Sequence, residues 1–225
     1  MTPPTFSPAY AAFFRELAAN NHKAWFDAHK EEYEREARQP FLQLVEFLRL
    51  GLIPLIPQLE AYEARQLIFR INRDVRFSKD KSPYKTHLAA AFSPQGKSAQ
   101  VPGFYLQLGA EGIWVGGGCY ELDKDSLFRV RQEISYHLDE FAQVVGDPAF
   151  VDAFGEIKGE RNKKLPPEFQ QDAQTQPLLA NKQFYFMREL PPEAMTDPDL
   201  ASKLLAWMQA GAAFNAFLLR AFQPA

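Results

Sequence analysis

This chain has very little cysteine and no long uninterrupted hydrophobic run. Cys119 is its one cysteine, so no internal disulfide can form, and a reducing compartment is expected. Charge, glycine or proline interrupts every apolar run well short of a membrane span. Residues 1–8 lack the charged start and apolar core of a signal peptide. We therefore expect a cytoplasmic protein that does not enter a membrane.

A general excess of positive charge is also missing. The 225 residues include 25 Lys and Arg against 28 Asp and Glu, a net charge of −3, which argues against non-specific coating of nucleic acid. Only four histidines are present, and they complete no zinc motif. Glu121, Asp123 and Asp125 alternate as in a calcium loop, but the Gly and the closing Glu of an EF-hand are missing. We therefore expect no metal and no cofactor. With 46% hydrophobic and 24% charged residues, the composition is that of a globular domain with a sizeable core.

The positive charge that is present is concentrated in residues 70–87. This segment carries six positive and two negative side chains, a net charge of +4, so the rest of the chain carries −7. A segment whose charge opposes that of the remaining chain, and which mixes Arg forks with Lys point charges, is suited to meeting an anion.

Hydrophobic periodicity predicts helices at both ends and in the middle of the chain. Apolar residues at helical spacing indicate helices over 8–19, 22–38 and 40–50, then 125–145, 148–154 and 198–222. Alternation and β-rich runs predict strands over 67–77, 87–93, 103–109, 113–120 and 183–190. Because helices and strands are segregated along the chain, we expect an α+β fold with a mainly antiparallel sheet of about five strands. No linker divides it, so residues 1–225 are expected to form a single domain.

The basic segment supplies the main candidate site for an anionic ligand, a phosphate or a carboxylate. Arg73 and Arg76 would fork onto the anion, Asp74 would orient them, and Tyr84 would supply a hydroxyl. The alternative is a solvated sheet edge in which the two acids simply pair with the arginines. The candidate residues of this segment are Arg73, Asp74, Arg76, Ser78, Lys79, Asp80, Lys81, Tyr84 and Lys85.

Three successive glycines, Gly116, Gly117 and Gly118, form the second candidate feature. After a strand they could expose backbone N–H groups as an anion nest. They match neither a P-loop nor a dinucleotide fingerprint, and a bulge or a close backbone packing position is the alternative. Cys119 follows them directly and is more typical of a small buried residue than of a nucleophile. No catalytic residue can be assigned.

Several of these motifs resemble an uncharacterised family, domain of unknown function 2461. The central match is the run from Arg73 to Lys85, and the start Asn20 to Phe26 is similar as well. Further similar stretches are Gly116–Gly118 with the helix that contains Leu127 and Arg131, and residues 179–186. The resemblance covers about residues 8–222 and implies one domain, but it brings no activity. The chain departs from the family pattern at Glu168 and at residues 171–173.

Three hypotheses for function follow from these features. In the first, the basic pocket binds an anionic small molecule, with or without catalysis. In the second, the same strand and loop make the protein a nucleic-acid or protein-interaction module, marked by binding that weakens steeply with salt. In the third, the cluster is purely structural, a salt-bridged clamp between the N-terminal helices and the sheet. The sequence does not determine the oligomeric state.

Overall fold

Four antiparallel strands in sequential order form one sheet in this computed structural model, which describes residues 3–98 and 100–223. The strands are β1 (His87–Phe92), β2 (Gly103–Gly109), β3 (Gly112–Cys119) and β4 (Phe184–Leu190). Each strand pairs with its neighbour in the order β1-β2-β3-β4. The expected α+β class, with its mainly antiparallel sheet, is therefore confirmed. The predicted strand at 67–77 did not form, and the sheet has four strands.

The N-terminal helices lie close to where the sequence pattern places them. The region contains α1 (Pro8–Ala19), α2 (Lys23–Ala28), α3 (Lys30–Glu32), a π-helical segment (Tyr33–Arg38), α4 (Gln39–Leu52), a 3₁₀ turn (Pro57–Ala61) and α5 (Ala64–Leu67). Pro8 stands at the first turn of α1, where its missing N–H would have no helical partner in any case. Helix α4 also has a proline in its first turn, but it continues directly from the π-helical segment. The π-helical segment lies within the predicted helix 22–38.

The later helices flank β4 on both sides in the sequence. They are α6 (Lys124–Tyr136), α7 (Leu138–Val145), α8 (Pro148–Phe154), α9 (Asp172–Thr175), α10 (Leu200–Ala210) and α11 (Ala212–Leu219). The 3₁₀ turns are Pro167–Phe169, Pro177–Ala180, Pro192–Thr196 and Arg220–Phe222. Two helices replace the single one predicted over 125–145, because His137 leaves helical geometry at φ −133° and ψ 46°.

Burial alternates along β2, whose Phe104, Leu106 and Leu108 are buried, so these residues mark the packed inner face of the sheet. Helices α1, α4, α10 and α11 contact strands of the sheet, and Phe186 of the edge strand β4 is fully buried. The Phe186 ring contacts four other phenylalanine rings, with the nearest centroid 4.4 Å away. Such aromatic clusters bury large apolar areas and favour edge-on contacts. The outer face carries the alternate residues of each strand, such as Tyr105 and Met187, which are partly exposed.

The three glycines lie inside β3 and permit a close approach on both sides. A Cβ atom at Gly117 would come within 2.7 Å of the Gly103 carbonyl oxygen and of the Phe186 ring. Gly118 has φ +98°, and a Cβ atom added to it would clash with the Phe184 carbonyl oxygen. The Gly118 N–H also donates to Oδ1 of Asn215 in α11, at 2.9 Å. Only glycine satisfies both the backbone angle and the spacing.

We predict that Gly118→Ala destabilises the protein more than Gly155→Ala. Both positions have positive φ, but a Cβ at Gly155 would meet nothing within 4 Å. Gly155→Ala should cost about 1–3 kcal/mol of backbone strain, and Gly118→Ala should cost about 1–3 kcal/mol more from overpacking. Urea unfolding measures both free energies. Equal losses would mean that close strand packing at Gly118 does not matter.

Candidate functional site

The basic segment folds back on itself instead of joining the sheet. Its start is tied to β1 by the Phe69 N–H, which donates to the Ala89 carbonyl at 2.9 Å. Beyond that point the backbone pairs with the end of the same segment: the Arg73 N–H donates to Pro83 and the Lys85 N–H to Ile71. Since Pro83 has no N–H, it interrupts any regular ladder. The segment is therefore a loop with isolated bridges, here called the basic loop (residues 70–86).

Acids within the basic loop neutralise both candidate arginines. Arg73 pairs with Asp80, and Arg76 forks onto Asp74 with its nearest nitrogen 2.7 Å from the carboxylate. These contacts hold the pKa values of both carboxyl groups below their usual range. The two acids thus form the ion pairs with the arginines that the sequence analysis considered as the alternative to an anion site. Exposed ion pairs of this kind add little stability, but they limit the directions in which the guanidinium groups can point.

The remaining candidates of the basic loop are dispersed. Lys79 is exposed, Ser78 is half-buried, and the Lys81 ammonium donates to the Val75 carbonyl at 2.8 Å. Phe77 at the tip is 95% exposed, with the Arg76 guanidinium 5.8 Å from its ring centre.

Tyr84 anchors the basic loop to the N-terminal helices. Its side chain is buried, and its ring stacks on Phe26 of α2 with centroids 4.1 Å apart. Its backbone N–H donates to the Asn21 side chain at 3.1 Å, and its carbonyl accepts from the same side chain at 2.9 Å. Two of the segments that resemble the family pattern, Asn20–Phe26 and Arg73–Lys85, therefore contact each other here.

The outer face of the sheet holds a cavity of about 370 Å³. Small residues form its floor, and aromatic rings form much of its wall. The floor residues are Ala91, Gly103, Gly117 and Gly118, and the wall includes Phe69, Tyr105, Tyr120, Tyr185 and Met187. We call this cavity the outer cleft. Its size falls within the range of small-molecule sites, and two of the three candidate glycines line it.

Two lysines lie beside Phe69, a residue that lines the outer cleft. The ammonium groups of Lys85 and Lys97 are 5.5 Å and 6.0 Å from the centre of the Phe69 ring. Lys97 lines the cleft and also donates to the Ile68 carbonyl at 3.1 Å. Within residues 3–98 and 100–223, no carboxylate forms an ion pair with either lysine. Glu121 also lines the cleft.

Hydrogen bonds in the β1–β2 connection hold Lys97 in this position. The Ser93 hydroxyl donates to the Gly96 carbonyl at 3.0 Å and accepts from the Gln95 N–H at 3.1 Å. Gly96 takes φ +68°, where a side chain would be strained. The sequence analysis missed Phe69, Lys97 and the tyrosines. The alternation in β2 would have placed Tyr105 opposite the core residues, but it could not place Lys97 beside Phe69.

Burial is the main influence on two titratable groups near Phe69, and neighbouring positive charge adds to it. Burial and the nearby Arg70 lower the pKa of Lys85. Burial and Lys85 lower the pKa of His87 from 6.5 to about 4. A bound anion would offset this accumulation of positive charge. Cys119 faces the opposite way, into the core, where burial raises the pKa of its thiol.

Among the residues that the structure describes, no group of three or more His, Cys, Asp or Glu side chains is arranged to hold a metal ion. Over the same residues, no helix has the length and apolar character needed to cross a bilayer.

Residues 9–217 match the model of a family described as conserved hypothetical protein, DUF2461. The chain belongs to the DUF2461 family. The resemblance seen in the sequence motifs is thereby confirmed. No curated protein and no solved structure matches the chain, so the function of this DUF2461 member has to be inferred from its own geometry.

The His87 environment predicts a loss of stability on mild acidification. Because the folded state keeps the pKa of His87 near 4 instead of 6.5, the unfolded chain binds a proton first as the pH falls. The free energy of unfolding should therefore decrease between pH 6.5 and about pH 4. His87→Gln should reduce the drop in melting temperature between pH 7.5 and pH 5. The same change at exposed His137 is the control, and equal drops in all three proteins would contradict the prediction.

Proposed function

We propose that this protein binds an organic anion, a carboxylate or phosphate with an apolar aromatic body, in the outer cleft. The observation that carries the proposal is the pair of ammonium groups, Lys85 and Lys97, beside Phe69. Within the described part of the chain, neither forms an ion pair with an acid. An apolar cleft with a few convergent charged groups is the usual form of a small-molecule site. The anion would lie near Lys97, and the body would rest on the glycine floor.

This proposal moves the expected anion contact from the arginines to the lysines. Arg73 and Arg76 already donate to Asp80 and Asp74, so a ligand would have to displace those carboxylates. Lys97 has two ammonium protons left after its bond to the Ile68 carbonyl. In this arrangement the arginines shape the basic loop, and the loop in turn supports the cleft edge through Phe69 and Lys85.

A fluorescent aryl sulfonate tests the proposal. We expect 8-anilinonaphthalene-1-sulfonate to bind the folded protein, and Lys97→Gln to weaken it about tenfold or more, as loss of a charge-assisted contact implies. N-phenyl-1-naphthylamine, the uncharged analogue, should bind parent and variant alike. Lys79→Gln removes an exposed lysine outside the cleft and is the matched control.

Fluorescence titration measures these affinities, and circular dichroism checks that each variant remains folded. Equal sulfonate affinity in the parent, Lys97→Gln and Lys79→Gln proteins would overturn the proposal. If Arg73→Ala and Arg76→Ala abolished binding while Lys97→Gln did not, the site would lie at the arginines as the sequence analysis expected. Unfolding of either arginine variant would favour the purely structural hypothesis.

The exposed Phe77 favours a second candidate function, binding of single-stranded nucleic acid. An aromatic ring beside Arg76 and Lys79 combines base stacking with phosphate contacts. Phe77→Ser should weaken binding of a labelled 12-nucleotide single strand in anisotropy titrations, and binding should decline steeply with salt. Tyr136→Ser, at another exposed aromatic, is the control. Absence of binding at low salt would remove this candidate.

A further inference from the structure

A second cavity adjoins the outer cleft and differs from it in chemistry. Its volume is about 820 Å³, and Val101, Tyr120 and Glu121 line both cavities. Tyr120 is 63% exposed and its ring meets Tyr185 edge-on, with centroids 5.2 Å apart. Tyr120 therefore lies between two adjoining cavities. One is the aromatic outer cleft, and we call the other the polar compartment.

Four carboxamide side chains line the polar compartment: Gln95, Gln100, Asn162 and Gln183. Each carboxamide has an acceptor oxygen and two N–H donors. The Gln183 oxygen accepts from the Glu160 N–H at 2.8 Å, which leaves its amino group for another partner. Neutral groups that donate and accept at once are suited to neutral polar ligands.

The charged groups of the polar compartment are already engaged. Lys182 pairs with Glu160 at 3.0 Å. Arg129 donates to the Ala221 carbonyl at 3.0 Å and to the Ser126 hydroxyl at 3.1 Å. An Asp123 oxygen accepts from the Ser126 N–H at 2.7 Å. These contacts leave Glu121, at the boundary, as the acceptor that a ligand hydroxyl would meet.

We infer that the ligand continues past Tyr120 and ends in a neutral, hydroxyl-rich group of the glycosyl class. This inference rests on the proposed function, because it assigns the other end of the same ligand. Hydroxyls donate and accept as the carboxamides do, Glu121 accepts from a hydroxyl, and the exposed Tyr120 ring offers an apolar surface to sugar C–H groups. The ligand class is therefore an aromatic acid that carries a glycosyl substituent.

Isothermal titration calorimetry with matched probes tests the inference. The probes are 4-hydroxybenzoate and its 4-carboxyphenyl glycosides with glucosyl, galactosyl, mannosyl and ribosyl groups. At least one glycoside should bind tenfold or more tightly than 4-hydroxybenzoate. Asn162→Leu should remove most of that gain, and Gln100→Leu, at an exposed position, is a second variant in case the first does not fold. Gln174→Leu changes an exposed carboxamide outside the compartment and should keep the full gain.

The outcomes separate this inference from the proposed function. If 4-hydroxybenzoate binds and no glycoside binds more tightly, the inference is overturned and the proposed function stands. If a glycoside gain persists in the folded Asn162→Leu and Gln100→Leu proteins, the assignment of the polar compartment is wrong. If neither the acid nor any glycoside binds, and the aryl sulfonate also fails, both the inference and the proposed function are rejected.

Discussion

The close packing of β3 between β2 and β4 is the constraint on which the rest of the structure depends. Gly117 and Gly118 allow the neighbouring backbones and the Phe186 ring to approach where no other residue would fit. Asn215 of α11 fixes the same point by accepting from the Gly118 N–H. One consequence is a well-packed inner face. The other is an outer face whose floor consists of glycines and Ala91, so that a cavity exists above it.

The basic loop illustrates why charge composition alone does not locate a binding site. Its net charge of +4 resides partly on Arg73 and Arg76, whose ion pairs with Asp80 and Asp74 direct them within the loop. The lysines left without an acid, Lys85 and Lys97, are not adjacent in the sequence. They come together only because Phe69 is bonded to β1 and the β1–β2 connection returns beside it.

Much of the fold was predictable because most elements carry their own local signal. The apolar spacing in α1 and α4, the alternation in β2 and the short link to β3 each gave a correct element. The prediction of a strand at 67–77 was wrong. Alternation is a local signal, and it could not show that the backbone of this segment would hydrogen-bond to Pro83 of the same loop. The break at His137 was missed for a similar reason, since the apolar spacing continues across it.

The candidate site was predictable only in part. The sequence analysis named the glycines and considered a close backbone packing position as an alternative, and close packing is what the structure has there. The cleft walls depend on long-range register, which places Tyr105, Gly116 and Met187 side by side across three strands. No local pattern contains that information. The anchoring of Tyr84 by Asn21 across 63 positions is of the same kind.

A crystal structure of the protein soaked with an aryl phosphate, phenyl phosphate for example, would test the central claim most directly. We expect the ring to lie over Gly117 and Gly118 with its edge toward Tyr185. We expect a phosphate oxygen within hydrogen-bonding distance of the Lys97 ammonium. A phosphate that instead displaced Asp80 from Arg73, or an outer cleft left empty while the ligand bound elsewhere, would contradict the account.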